Sequence, residues 1–89
     1  MPDPDQALLA FPCEFPIKIM GLTQKGFAQA VIEVVRRHAP DFDPATMEMR
    51  PSREGKYLSL TCTIRAVSRD QLDALYRELC DHPMVTMVL

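Results

Sequence analysis

Residues 56–66 read Lys-Tyr-Leu-Ser-Leu-Thr-Cys-Thr-Ile-Arg-Ala, an unbroken alternation of apolar and polar side chains. Leu58, Leu60, Cys62, Ile64 and Ala66 share one parity; Tyr57, Ser59, Thr61, Thr63 and Arg65 share the other. Successive side chains of a strand point to opposite faces, so this run has one face for a core and one for solvent or a partner. Such a strand cannot bury its apolar face alone: it needs neighbouring strands and a covering layer.

The rest of the chain supplies both. Before it, Phe15, Ile17 and Ile19 alternate with Pro16, Lys18 and Met20, which predicts a strand over residues 14–21. Pro16 sits near its start, where a missing donor is tolerated, and Gly21 ends it. Thr23 reads as the N-cap of a helix reaching His38, with Phe27, Val31, Val34 and Val35 as its apolar stripe beside Ala28 and Ile32. Gly26 inside its first turns is ascribed to close packing on the sheet. Arg36, Arg37 and His38 suit the negative end of the helix dipole, and Pro40 bars continuation. After a loop over residues 41–44, residues 45–50 predict a short strand with Met47 and Met49 on one face and Thr46, Glu48 and Arg50 on the other. Residues 51–55 form a hairpin connection with Gly55 suited to a left-handed position. Ser68 is a second N-cap, followed by Asp70 and a buried face of Leu72, Leu75, Tyr76 and Leu79 ending near Asp81. Residues 84–89 predict a last strand with Val85, Met87 and Leu89 on one side and Met84, Thr86 and Val88 on the other.

Strand, helix, strand, strand, helix, strand, with right-handed crossovers, puts both helices on the same side of the sheet. The expected fold is α+β: a ferredoxin-like βαββαβ two-layer sandwich, with a four-stranded antiparallel sheet whose central strands are the first and third. The reverse face is then left open, and carries Lys18, Met20, Glu48, Tyr57, Ser59, Thr61, Thr63, Arg65, Thr86 and Val88. Eighty-nine residues make one domain. Residues 11–89 form it, and residues 1–10, with Pro2, Asp3, Pro4 and Asp5, read as a flexible N-terminal arm on which Leu8 and Leu9 can rest against the domain.

At 47% hydrophobic and 25% charged residues the chain falls in the globular class. A net charge of -2 gives no electrostatic case for nucleic acid or an anionic membrane, and no apolar run approaches a membrane span. A cytoplasmic protein is the expectation. Cys13, Cys62 and Cys80, odd in number and widely spaced, read as reduced thiols.

Several stretches together resemble the YbeD-like family of small bacterial proteins, also described as UPF0250. They are Phe15, Lys18-Ile19-Met20-Gly21, His38-Ala39-Pro40 after Val34-Val35, Pro51-Ser52, Gly55-Lys56-Tyr57 with Ser59, Leu75-Tyr76, and Val85 with Met87-Val88-Leu89. Their order and spacing carry the likeness over residues 11–89, while the arm and residues 41–46 depart from it. The resemblance implies the same fold, similar in shape to the ACT-type regulatory domains that bind amino acids. It implies no assigned activity; a genomic association links some relatives to lipoate metabolism.

Candidate sites follow from chemistry. Cys80 with His82, or Cys13, Cys62 and His38, lack the paired short spacings of structural zinc, so no metal and no cofactor are expected. No local turn exposes a nucleophile, and Asp70, Asp73, Glu78 and Asp81 interleaved with Arg69 and Arg77 read as a solvated helix face, so no catalytic residue is assigned. An RNA-binding sheet needs stacked aromatics, and only Tyr57 qualifies. Three candidates remain. Gly21, Leu22 and Thr23, at a strand–helix junction, are expected to offer free backbone amides to a small carboxylate ligand, as in a sensor for an amino-acid-like molecule. Arg50, Arg53 and Lys56 are a candidate anion contact at the hairpin. The open face of Lys18, Met20, Tyr57, Ser59, Thr61, Thr63 and Arg65 is a candidate surface for a homodimer or a protein partner. The expected function is a non-enzymatic regulatory or interaction module, with the small-molecule sensor as its alternative.

Overall fold

In the computed structural model, which describes residues 10–89, the chain runs β1 (Cys13–Leu22), α1 (Phe27–His38), a single 3-10 turn (Pro44–Thr46), β2 (Glu48–Pro51), β3 (Tyr57–Ala66), α2 (Arg69–Asp81) and β4 (Met87–Val88). The sheet order is β2-β3-β1-β4, with every neighbouring pair antiparallel. This is the expected βαββαβ sandwich with β1 and β3 central. The expectation of an N-terminal arm falls almost wholly outside the described residues.

β1 and β3 pair along their whole length, from Cys13 opposite Ala66 to Leu22 opposite Tyr57. The register puts Ile17 against Cys62 and Ile19 against Leu60, all four fully buried under the helices. From α1 come Phe27, Val31, Val34 and Val35; from α2, Leu72, Leu75 and Leu79. Phe42, in the connection after α1, is also buried and extends the core beyond the strands and helices. Burial of these side chains, at about 1.5–3 kcal/mol each, is what offsets the chain entropy lost on ordering.

The structure departs from the sequence expectation at the start of α1, at the start of β2 and in the phase of the last strand. Thr23 is not a helix cap: its N–H donates to Lys56 O at 2.8 Å, prolonging the β1–β3 ladder, and α1 starts at Phe27. The N-cap is Gly26 at φ 86, a left-handed conformation. Nothing lies within 4 Å of where its Cβ would stand, so φ, not close packing, calls for glycine there. Residues 45 and 46, expected in the strand, belong to the 3-10 turn with Pro44, because the Asp43 side chain accepts from Ala45 N at 2.9 Å and Asp43 O from Thr46 N at 3.0 Å. β2 therefore begins only at Glu48. The last strand is in the opposite phase. Val88 pairs with the inward Ile19 and packs toward the core, so Met87 and Leu89, not Thr86 and Val88, belong to the open side. Thr86 is exposed and precedes the paired residues.

Other local expectations hold. Ser68 Oγ accepts from Gln71 N at 3.0 Å as the N-cap of α2. In the hairpin, Gly55 has φ 76, and Ser52 Oγ and Tyr57 O accept from Tyr57 N and Ser52 N at 3.0 and 2.8 Å.

Candidate functional site

The face away from the helices is built in rows by the register. One row runs Glu48, Thr61, Lys18, with Leu89 beside Lys18 through reciprocal backbone bonds of 2.8 and 3.2 Å. The next runs Arg50, Ser59, Met20, Met87. Beyond it Tyr57 stands opposite Leu22, and toward the other end Thr63 faces Pro16 and Arg65 faces Glu14. The seven residues named as the candidate surface (Lys18, Met20, Tyr57, Ser59, Thr61, Thr63 and Arg65) lie on this side, as does Glu48 of the ten expected on the open face, whereas Thr86 and Val88 do not. Sequence reading missed Leu22, 45% exposed, Met87, 49% exposed, and Leu89, 62% exposed. Leu22 continues the parity of β1 and could have been found by extending that strand. Met87 and Leu89 could not, since their parity depends on pairing with β1.

Two hollows share Lys18, Arg50 and Ser59. One, of about 480 Å³, reaches over Glu48 and Thr61; the other, of about 280 Å³, is walled by Met20, Pro51, Tyr57 and Leu89. Of the three cations expected to form an anion contact, the structure keeps only Arg50 here and brings it together with Lys18. Arg53 sits in the exposed hairpin turn, and Lys56 Nζ lies 5.7 Å from the centroid of the neighbouring Tyr57 ring. Another hollow, of about 470 Å³, opens between Pro12, Asp41, Phe42 and Arg65 at the far end of the sheet.

The Gly21–Leu22–Thr23 turn does not have the geometry expected of it. Gly21 and Leu22 are strand residues paired with Leu58 and Tyr57, and the Thr23 amide is already engaged. α1 starts four residues after Thr23, at Phe27, whose own N–H donates to Gln24 O at 3.3 Å. Gly21 is needed for a different reason: a Cβ there would stand 2.4 Å from Met84 O and 2.7 Å from the Phe27 ring.

Chemistry-bearing side chains elsewhere are tied into the fold. Burial pushes the Cys62 thiol up to about 11, which keeps it protonated and unreactive. In native protein, therefore, Cys62 should resist iodoacetamide while exposed Cys80 reacts; mass spectrometry after brief alkylation checks this, and modification of Cys62 should appear only on denaturation. His82 Nδ1 accepts from Met84 N at 3.1 Å and shapes the turn after α2. Glu78, expected to be an ordinary surface carboxylate, bridges the two helices. It accepts from the Arg37 guanidinium and shares a 2.7 Å hydrogen bond with His38 Nε2. Gln71 Nε2 adds a 2.9 Å bond to His38 O.

The hydrogen bond from Arg37, then that from His38, holds the Glu78 carboxyl below its ordinary value of 4.5. A carboxyl depressed in the folded state stabilises above its unfolded pKa and loses that contribution as pH falls through the folded one. Glu78→Gln should lower the melting temperature by a few degrees near neutral pH, since the cluster is partly exposed. The gap to wild type should close as pH drops below the carboxylate range. Melts by circular dichroism between about pH 7 and 3 test this.

The family model described as "Protein of unknown function (DUF493)" matches residues 6–89. A UPF0250 protein of Nitrosomonas europaea is 61% identical over 85 residues, spanning 96% of this chain and 98% of that protein. One of Bordetella pertussis is 56% identical over 86 residues, spanning 97% and 94%. Among solved structures, that of protein HP0495 from H. pylori superposes with a TM-score of 0.77 at 15% identity, covering 100% of this chain and 94% of that one. The ACT domain from GTP pyrophosphokinase of Chlorobium tepidum gives 0.64 at 19% identity, covering 85% and 84%. Likeness at such low identity concerns the fold alone, whereas the near full-length matches to bacterial relatives concern ancestry: the chain belongs to the UPF0250 family, DUF493.

Proposed function

We propose that the chain is a non-enzymatic regulatory module of the cytoplasm that works by binding a protein partner or a second copy of itself on the open face of its sheet. The observation that carries this reading is the group of Met20, Tyr57, Leu22, Met87 and Leu89, spread over three adjoining rows and held outward by the register among the hydroxyls of Ser59 and Thr61. A sheet face with nothing to do would place polar groups at those positions; apolar ones cost solubility and gain only on contact. The regulatory part of the reading draws its support from the shape shared with ACT domains, by analogy of fold.

The test compares two variants in pull-downs from native lysate and in sedimentation. Thr61→Arg, in the middle of the face, should lose interactors or self-association that Asp73→Arg, on exposed α2, retains. A Thr61→Arg protein that keeps every interaction of the wild type would sink the proposal.

A further inference from the structure

We infer that the occupant of the hollow between Lys18, Arg50 and Tyr57 is an acidic segment of a partner protein, carrying an apolar side chain next to its carboxylate. This rests on the proposed role of the open face and adds the chemistry of what binds there.

The chain carries twelve acidic residues against ten basic ones, yet no Asp or Glu lines this hollow. Among the described residues the ion pair is Arg37–Glu78, between the helices, with His38 hydrogen-bonded to the same carboxylate. Neither Lys18 nor Arg50 has a described carboxylate within 4.0 Å. They flank β3 from opposite sides and line one hollow with Ser59, while Glu48 lines only the adjoining one. An Arg and a Lys flanking a hydroxyl make a charge-assisted cradle for an oxyanion.

The remaining wall says what accompanies the anion. Met20, Pro51, Tyr57 and Leu89 leave room, about 280 Å³, for an apolar side chain and little more. Methionine adapts to irregular partners, and tyrosine and arginine are the residues on which interface energy concentrates. A hollow this shallow covers only one side of an occupant, so a free small acid would gain little. A polypeptide segment gains further contacts along Thr61 and Met87. A second copy seated in the hollow by its own matching surface would bring its Lys18 and Arg50 toward these same cations. Nucleic acid would need more positive charge and more than one stacking ring.

The test is selection of short random peptides displayed on phage against the immobilised full-length chain, followed by fluorescence polarisation of the selected sequences. The selected peptides should be enriched in Asp or Glu adjacent to Leu, Phe or Met, and should bind more tightly as salt falls. Lys18→Glu with Arg50→Glu should weaken them about tenfold or more, and the milder Lys18→Gln with Arg50→Gln should weaken them in the same direction. Neutral or basic peptides whose binding is lost in Thr61→Arg but unchanged by both sets of charge variants would overturn the acidic partner while leaving the interaction face standing. Self-association sensitive to Thr61→Arg but not to the charge variants would overturn it in favour of a second copy. Failure to select any peptide, or binding indifferent to every variant, would overturn both.

Discussion

Gly21→Ala should destabilise the protein by about 2–3 kcal/mol, although alanine is ordinarily the better strand residue by about 0.5–1 kcal/mol. The added Cβ would stand 2.4 Å from Met84 O, a backbone atom with no rotamer to escape into, and 2.7 Å from the Phe27 ring. Phe27 is itself fully buried, so its ring has no open space to swing into. Relief therefore has to come from the segment after α2, which leads directly into β4. That strand is short, and its hold on β1 is the Met87 and Val88 pairing with the bonds Thr86 N–Met20 O at 2.7 Å and Leu89 N–Lys18 O at 2.8 Å. Amide exchange at Thr86 and Leu89 should accelerate in the variant more than exchange in β3. Because Met87 and Leu89 also rim the open face, binding there should weaken together with stability. A Gly21→Ala protein as stable as wild type would contradict the close approach of Met84 O and the Phe27 ring to Gly21.

Phe27→Ala should be more costly, about 3–5 kcal/mol, and should lower the melting temperature by on the order of 20 °C. Its ring is the largest fully buried side chain, wedged at the first turn of α1 against the end of β1. Removing it leaves a cavity that the sheet, pinned by ten β1–β3 pairs, cannot collapse to fill. A domain of this size has total stability near the low end of about 5–15 kcal/mol, so partial unfolding at room temperature is expected. The two substitutions should not add. Without the ring, the Gly21 Cβ has only Met84 O to meet, and the double variant should be less destabilised than the sum by denaturant titration.

What the sequence discloses and what it hides divide along the range of the interactions. β3 is legible because its alternation is uninterrupted, and α2 because Ser68, Asp70 and an apolar stripe agree. β4 is not, since Met84, Val85, Met87, Val88 and Leu89 put apolar residues on both parities; only pairing with Ile19 and Met20 selects the phase. Thr23 has the side chain of a cap, but its backbone is claimed by Lys56 across the sheet, and a left-handed glycine serves the helix instead. The Glu78 bridge joins residues about forty positions apart, and no local pattern announces it. For the candidate site, the strands named the face, while the convergence of Lys18 and Arg50 needed the register across β3.

The account depends on the open side of the sheet being where the molecule meets its partner. Backbone amide NMR of labelled protein, titrated with the binding partner or a selected peptide, reads this directly. Shifts are expected at Lys18, Met20, Tyr57, Ser59, Thr61 and Met87, with the exposed amides of α1 and α2 unmoved. Shifts confined to the helices, with the sheet silent, would contradict it.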